Sequence, residues 1–449
     1  MTAKDAKTTR PVVAENPFTG SYHRWVVDRR ARTFAVRVIE PGQYAPATHG
    51  EIFSAVLSQL ISPAPDVIDP LASNDRSAPA EPFDLVTFPE AFVPVGTLMD
   101  ALRLVGRHAP SGCVHAGLRP SDDPSQHLFA VHEIGTLVDQ LVALPTSVEA
   151  DLAAFRSWLG GQPSERRFNI GCLFAVDVEK RLRLCLHPKV VRSRFETNAL
   201  PEHHMDEANH LALVTLHPVD KLYFSVTMQP LICSDALNLQ TDRKTGSPMQ
   251  AVNTHADCFG VDPPDHIDVV SVASCTPQTD GQLSSGAPYR TWHEQFQDSF
   301  RQAANDGGWT RHHHAAFVLS NFLQHEAGIG GLSGVFMPVP PHDPRFHPDV
   351  ILSGWGRPRG DNPGANRWST PDEPRVKDWQ SRGFIAALSP FAGIDGVTVR
   401  IFGFTIQRLP RDNSRWETPA SLTRCEVQVG RRDDTGAYQF ERRKFSNAS

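Results

Sequence analysis

Apolar and polar positions alternate between Thr33 and Ile39 (TFAVRVI), which predicts a strand. The period then changes. Ile52, Phe53, Val56, Leu57, Leu60 and Ile61 fall at helical spacing, so 49–61 reads as a helix. Residues 62–82 hold five prolines and read as a loop. A short buried strand follows at 84–89 and stops at Pro89, with Glu90 at its end. Residues 96–105 predict a helix and 112–117 a strand, while 118–166 reads as polar loop with one or two helices, such as 147–159. Beyond this the chain turns β-rich. Residues 168–177 and 181–187 predict a strand pair turning at Val178–Lys180, and 211–216 with 221–227 a second pair turning at Pro218–Asp220. A further apolar run, Pro230 to Cys233, ends abruptly at Ser234–Asp235. Strands are expected at 267–273, 316–321, 332–339, 397–406 and 421–429, a helix at 291–304, and loop at 340–380. Alternating strands and helices, with hairpins in the second half, indicate an α/β protein.

Composition narrows the function classes. Lys and Arg number 44 against 50 Asp and Glu, a net charge of −6, which is no footprint for nucleic acid or an anionic membrane surface. Apolar residues at 40% and charged residues at 21% suit a sizeable core. The apolar runs near Val350 and Ile401 are far shorter than the ~20 residues of a spanning helix. The N-terminus, MTAKDAKTTRPVVAENP, has no signal-peptide apolar stretch and reads as a polar arm over residues 1–30. Seven cysteines without a CxxC pair fit a reducing, cytoplasmic setting and neither a disulfide framework nor a zinc ribbon. Cys172, Cys185 and Cys275, in or beside strand patterns, read as small core hydrophobes. The His312–His314 run, the His203–His204 pair and the His255/Cys258 spacing lack metal-site partners, and no glycine pattern for a nucleotide is present. No metal or cofactor is therefore expected. Arg431–Arg432 and the ERRK segment read as a solvated tail.

Three chemistry-bearing residues stand at strand ends, where a rigid backbone can aim a side chain into a cleft. They are Glu90 in DLVTFPEAF, Lys189 in LCLHPK and Cys233 in PLICSD, separated by 189 − 90 = 99 and 233 − 189 = 44 residues. A thiol with a nearby carboxylate base and an ammonium for developing negative charge is the equipment of nucleophilic acyl transfer.

In this order, the three segments resemble the nitrilase or carbon–nitrogen hydrolase superfamily, whose triad is Glu, Lys and Cys. DLVTFPEAFVP resembles its first motif. FNIGCLFAVDVEKRLRLCLHPKVVRSRFE resembles the hairpin leading to its lysine, with Asn169 near the start and Glu196 beyond. KLYFSVTMQPLICSDAL resembles the strands that deliver its cysteine, with Asp235 two residues on as a turn cap. The likeness spans about residues 33–340. It departs at His187-Pro188, where relatives carry another basic residue, and at Ser234, where an aromatic is common. The resemblance implies a single large domain over 31–410 with a four-layer αββα sandwich, insertions at about 118–166, 236–265 and 340–380, and a C-terminal strand and tail over 411–449. It implies Cys233 as nucleophile, Glu90 as acid–base, Lys189 as oxyanion partner and Glu196 as an orienting carboxylate. The substrate would be a small amide or nitrile, with the Ser-Asp after the cysteine pointing toward an amidase. A homo-oligomer is implied, with neither a nucleic-acid nor a membrane partner. Two alternatives remain at this level: a catalytically silent fold that binds a small molecule or protein, and an acyltransferase with the same triad.

Overall fold

The structure is a computed structural model. It describes residues 16–29, 33–41, 49–61, 83–108, 112–123, 125–193, 196–197, 200, 203–237, 247–275, 295–296, 299–300, 303, 310–312, 315–321, 333–336, 397–408, 416–436 and 438–444. The expected loops at 62–82 and 340–380 and most of the expected helix at 291–304 lie outside the described residues.

In chain order the elements are β1 (Thr19–Val27), β2 (Thr33–Pro41), α1 (His49–Ile61), β3 (Leu85–Thr87), β4 (Val93–Pro94), α2 (Val95–His108), β5 (Cys113–Arg119), β6 (Phe129–Ala130), α3 (Val131–Val142), α4 (Ala153–Gly160), β7 (Arg167–Phe168), β8 (Ile170–Val176), β9 (Leu182–Pro188), β10 (His210–Pro218), β11 (Val226–Ile232), α5 (Pro248–Thr254), β12 (Val269–Ala273), β13 (Ala316–Ser320), β14 (Gly334–Phe336), β15 (Val397–Arg408), β16 (Trp416–Arg432) and β17 (Tyr438–Lys444). The protein is mixed α/β. One sheet runs β1-β10-β11-β12-β13-β14, and a second runs β17-β16-β15-β2-β3-β5-β8-β9 with β4 paired to β5. Both mix parallel and antiparallel pairs: β1 lies parallel to β10, which is antiparallel to β11, and β2, β3 and β5 run parallel while β5, β8 and β9 are antiparallel. Among the described residues no helix is long and apolar enough to cross a membrane.

Strands buried on both faces read as nearly continuous apolar runs, and side-chain alternation sends successive residues to different cores. One cluster joins Trp25, Val214, Met228, Val269 and Val318 of the first sheet to Phe34, Val36, Leu85, Leu173 and Phe404 of the second. The alternate residues Val86, Val114, Phe174 and Leu184 pack under α1 to α4. Leu213, Leu231, Val272 and Phe317 pack with Met249 and Val252 of α5 and with Phe296 and Phe300.

Several expectations change. Residues 19–27 are a strand, not part of a polar arm. Ser21, His23, Trp25 and Val27 point inward, and the two polar ones disguise the alternation: Ser21 meets His210, and His23 meets Asp151. The segment 118–166 carries two helices, α3 and α4, the second within the expected 147–159 apart from its last residue, and both pack into the core. Ile134, Leu137, Val138 and Leu141 recur at helical spacing on α3 and join the core with Phe155 and Trp158 of α4. In 236–265, α5 likewise contributes core residues. The run Pro230–Cys233 is not separate from its predecessor, since β11 extends continuously from Val226 to Ile232. Pro230 stands beyond the β10 pairing, which reaches only Met228, and within the β12 register opposite Ser271. Finally, Arg431, Arg432 and ERRK lie on β16 and β17, which extend the second sheet through β15, although Arg431 and Arg432 themselves are exposed.

Trp25 is fully buried between the sheets, 5.9 Å below the Arg183 guanidinium. Trp25→Ala is expected to cost about 3–5 kcal/mol in denaturant unfolding. A loss under about 1 kcal/mol would mean that residues 19–27 are dispensable to the fold.

Candidate active site

Each of the four predicted residues is placed by a local device. β3 ends at Thr87, and the chain turns sharply so that Ala91 takes φ 47°, a left-handed value that costs a side-chain-bearing residue about 1–2 kcal/mol. The turn seats on Gly117 of β5, whose N–H donates to Pro89 O at 3.1 Å and whose O accepts from Phe92 N at 3.0 Å. A Cβ at Gly117 would lie 2.5 Å from the Glu90 Cα, so only glycine fits. Lys189 follows β9 directly, its backbone N–H donating to Asn169 O at 2.8 Å. Cys233 ends β11 at φ 45°, a second left-handed residue, and starts a short 3₁₀ turn over Cys233–Ala236. Asp235, from that turn, accepts the backbone N–H groups of Val190 at 2.9 Å and Val191 at 2.7 Å, tying the cysteine turn to the residues after Lys189. The Ser234 hydroxyl adds a bond to Val191 O. The expected capping role of Asp235 holds, and the cap spans two segments. Burial pushes its carboxyl up to about 8, against the pull of the Val191 N–H, the Lys189 ammonium and the Ile232 and Val190 N–H groups.

The side chains converge. The Lys189 Nζ donates to Glu90 Oε1 at 2.7 Å and to Glu196 Oε1 at 2.7 Å, with all three residues buried. Glu196 Oε2 accepts the Ser193 N–H at 2.8 Å, which fixes that carboxylate from behind. Glu90 Oε1 also accepts from Asn169 Nδ2 at 2.7 Å, and Oε2 accepts the Cys275 N–H at 3.1 Å. Cys233 adjoins this cluster: a hydrogen bond from its thiol is among the influences that favour the Glu90 carboxylate, and Ser274 Oγ stands 3.6 Å from Sγ as a donor. All four candidates, Glu90, Lys189, Cys233 and Glu196, therefore meet at one place.

Charge sets their protonation. Burial and the Glu196 charge push the Glu90 carboxyl up while Lys189 pulls it down, and the net position is above the ordinary glutamate value. Burial opposes the Lys189 ammonium, but Glu196 and Glu90 more than offset it and hold it well above the usual lysine value. Burial also opposes the Glu196 carboxylate, and the Lys189 charge and hydrogen bond, with Ser193, bring it below its usual value. The site thus holds an ammonium, a firm carboxylate and a carboxyl poised to take a proton.

The remaining thiols differ. Cys113, Cys172 and Cys185 are buried, and burial pushes each upward, Cys172 to about 12. Cys275 is half-buried and packs against the cluster under α1 to α4, in keeping with the core reading, and its backbone N–H also serves Glu90. Its signal was available, because ASC follows β12, the strand in register with the cysteine strand through Ile232 and Ala273. His187, where the resemblance leads one to expect a basic residue, is no charge at the site. It points into the protein over Gly171, shares 3.1 Å between its Nε2 and that of His115, and is pushed well below the ordinary histidine value by burial and then by His115. No protein-family model matches this chain, and no curated protein matches it.

Lys189→Met removes the ammonium that two buried carboxylates share. Breaking such a pair is expected to cost about 3–5 kcal/mol at neutral pH. Without the ammonium both carboxyls hold their protons more tightly when folded, so the deficit should shrink as pH falls. Urea unfolding at two pH values checks both the size and the sign.

Proposed function

We propose that this protein is a cysteine-dependent hydrolase of non-peptide carbon–nitrogen bonds, amidase-like, in the manner of the nitrilase or carbon–nitrogen hydrolase superfamily. The observation that carries the reading is the meeting of the Cys233 thiol, the Glu90 carboxylate and the Lys189 ammonium in a buried site, from segments separated by 189 − 90 = 99 and 233 − 189 = 44 residues. Chance strand-end residues have no reason to share hydrogen bonds. The three apolar clusters support the finer architecture, a four-layer αββα sandwich: two sheets sharing one cluster, with helices packed over the far face of each. A homo-oligomer and a cytoplasmic setting belong to the same proposal.

The chemistry follows from the charges. The Glu90 carboxylate takes the thiol proton as Cys233 Sγ attacks the substrate carbonyl carbon. Lys189 and a backbone N–H of the cysteine turn hold the oxyanion. As the tetrahedral species collapses, Glu90 returns its proton to the departing nitrogen, which leaves as ammonia or an amine. A thioester remains on Cys233. Glu90 then deprotonates a water that attacks the thioester, and the protonated carboxyl restores the thiol as the carboxylate product leaves. Glu196 keeps the lysine charged and in place throughout.

Cys233→Ala is expected to lower ammonia release from a panel of small amides and nitriles by at least about 10³-fold. Turnover equal to wild type in the purified variant would overturn the assignment. Because the base must be deprotonated and its pKa is raised, kcat/KM should climb with pH along an acid limb lying above the ordinary carboxylate range.

A further inference from the structure

Asn169 lies between β7 and β8, is 1% exposed, and bonds to two members of the site at once. Its backbone O accepts the Lys189 N–H at 2.8 Å, and its Nδ2 donates to Glu90 Oε1 at 2.7 Å. Each carboxylate oxygen accepts about two hydrogen bonds. Glu90 Oε1 already receives Asn169 Nδ2 and Lys189 Nζ, and so is full, whereas Oε2 receives only the Cys275 N–H among backbone donors. The Asn169 Oδ1 is buried and has no hydrogen-bond partner among the described residues. The amide is therefore oriented by its donor alone. Turning it over would set Oδ1 against a carboxylate oxygen.

We infer that Asn169 is a positioning residue that commits Glu90 Oε1 to the lysine and leaves Oε2 as the oxygen that exchanges the proton with Cys233 and with the departing nitrogen. This rests on the reading of Glu90 as the base. The groups facing Glu90 are Lys189 at the end of β9, Glu196 beyond it, Cys233 at the end of β11, and Cys275 after β12. None of them replaces the Asn169 donor: Lys189 is already bonded to Oε1, the Cys275 N–H is on Oε2, Glu196 brings negative charge, and Cys233 brings the thiol whose proton is to be exchanged. Losing Nδ2 removes a donor that favours the carboxylate over the acid, so Glu90 becomes easier to protonate.

The test needs no substrate. Alkylation of Cys233 by iodoacetamide, followed by peptide mass spectrometry from pH 4 to 9, reports thiol deprotonation by Glu90. Wild type should show an acid limb, and N169A should move its midpoint to higher pH by about one unit, the worth of one hydrogen bond to a charged group. N169S, which keeps a shorter donor, should fall between. A merely structural role for Asn169 would change the unfolding midpoint and leave the alkylation midpoint in place. An unmoved midpoint in folded N169A overturns the inference. If N169A does not fold, an unmoved midpoint in N169S does so. A wild-type Cys233 without any acid limb overturns the base role of Glu90, and this inference with it, and is recognised from wild type alone.

Discussion

The Lys189 ammonium, held at 2.7 Å by the carboxylates of both Glu90 and Glu196, is the interaction on which the rest depends. Withdrawing three charges from water costs several kcal/mol for each ion, and the cost is tolerable only when every charge is paired and hydrogen-bonded. Ser193 completes the pairing at Glu196, and Asn169 and Cys275 complete it at Glu90. The consequence is chemical as well as structural. In the proposed mechanism, transfer of the thiol proton to Glu90 would leave the total charge of the buried cluster unchanged. Negative charge only moves from a carboxylate to a sulfur, and Lys189 acts electrostatically on both. A site that keeps its charge count through the proton transfer asks little reorganisation of its surroundings.

That arrangement has to be built from five separate segments, and the backbone shows what this requires. Ala91, the residue after Glu90, and Cys233 both take left-handed φ values, 47° and 45°, without being glycine. Strain of this kind persists where the surroundings over-determine it. Here Gly117 leaves room for the first turn, and Asp235 staples the second to the residues after Lys189. Between the sheets a polar chain crosses the apolar core: Thr87 Oγ1 lies 2.9 Å from Ser271 Oγ, which lies 2.8 Å from His115 Nδ1, and His115 meets His187. Burial holds His115 down at about 3, so this chain is neutral and links the two sheets without adding charge beside the triad.

Much of this was legible in the residues alone, and the reason is rigidity. Strands buried on both faces carry an unmistakable apolar run, and such a run also fixes where its last residue points. Glu90, Lys189 and Cys233 are therefore visible in the sequence as groups at or just beyond the ends of apolar strands. What escaped the reading was polar and inward. β1 alternates correctly, but half of its inward positions are Ser21 and His23, whose partners His210 and Asp151 are over a hundred residues away. α3 was legible in the spacing of Ile134, Leu137, Val138 and Leu141, and was hidden by the polar stretch before it. The donors to Glu90 from Asn169 and Cys275 span 79 and 185 residues, and one of them is a backbone N–H, which carries no residue signature at all.

On the proposed function, Cys233 forms a covalent acyl intermediate. The direct measurement is acid quenching of the protein after seconds of exposure to a panel of small amides and nitriles, followed by mass spectrometry of the peptide containing Cys233. The expected result is an acyl adduct on Cys233, labile to hydroxylamine as a thioester is, and absent from the buried thiols Cys113, Cys172 and Cys185. Product formation with Cys233 unmodified at every time point, or an adduct on another residue, would contradict it.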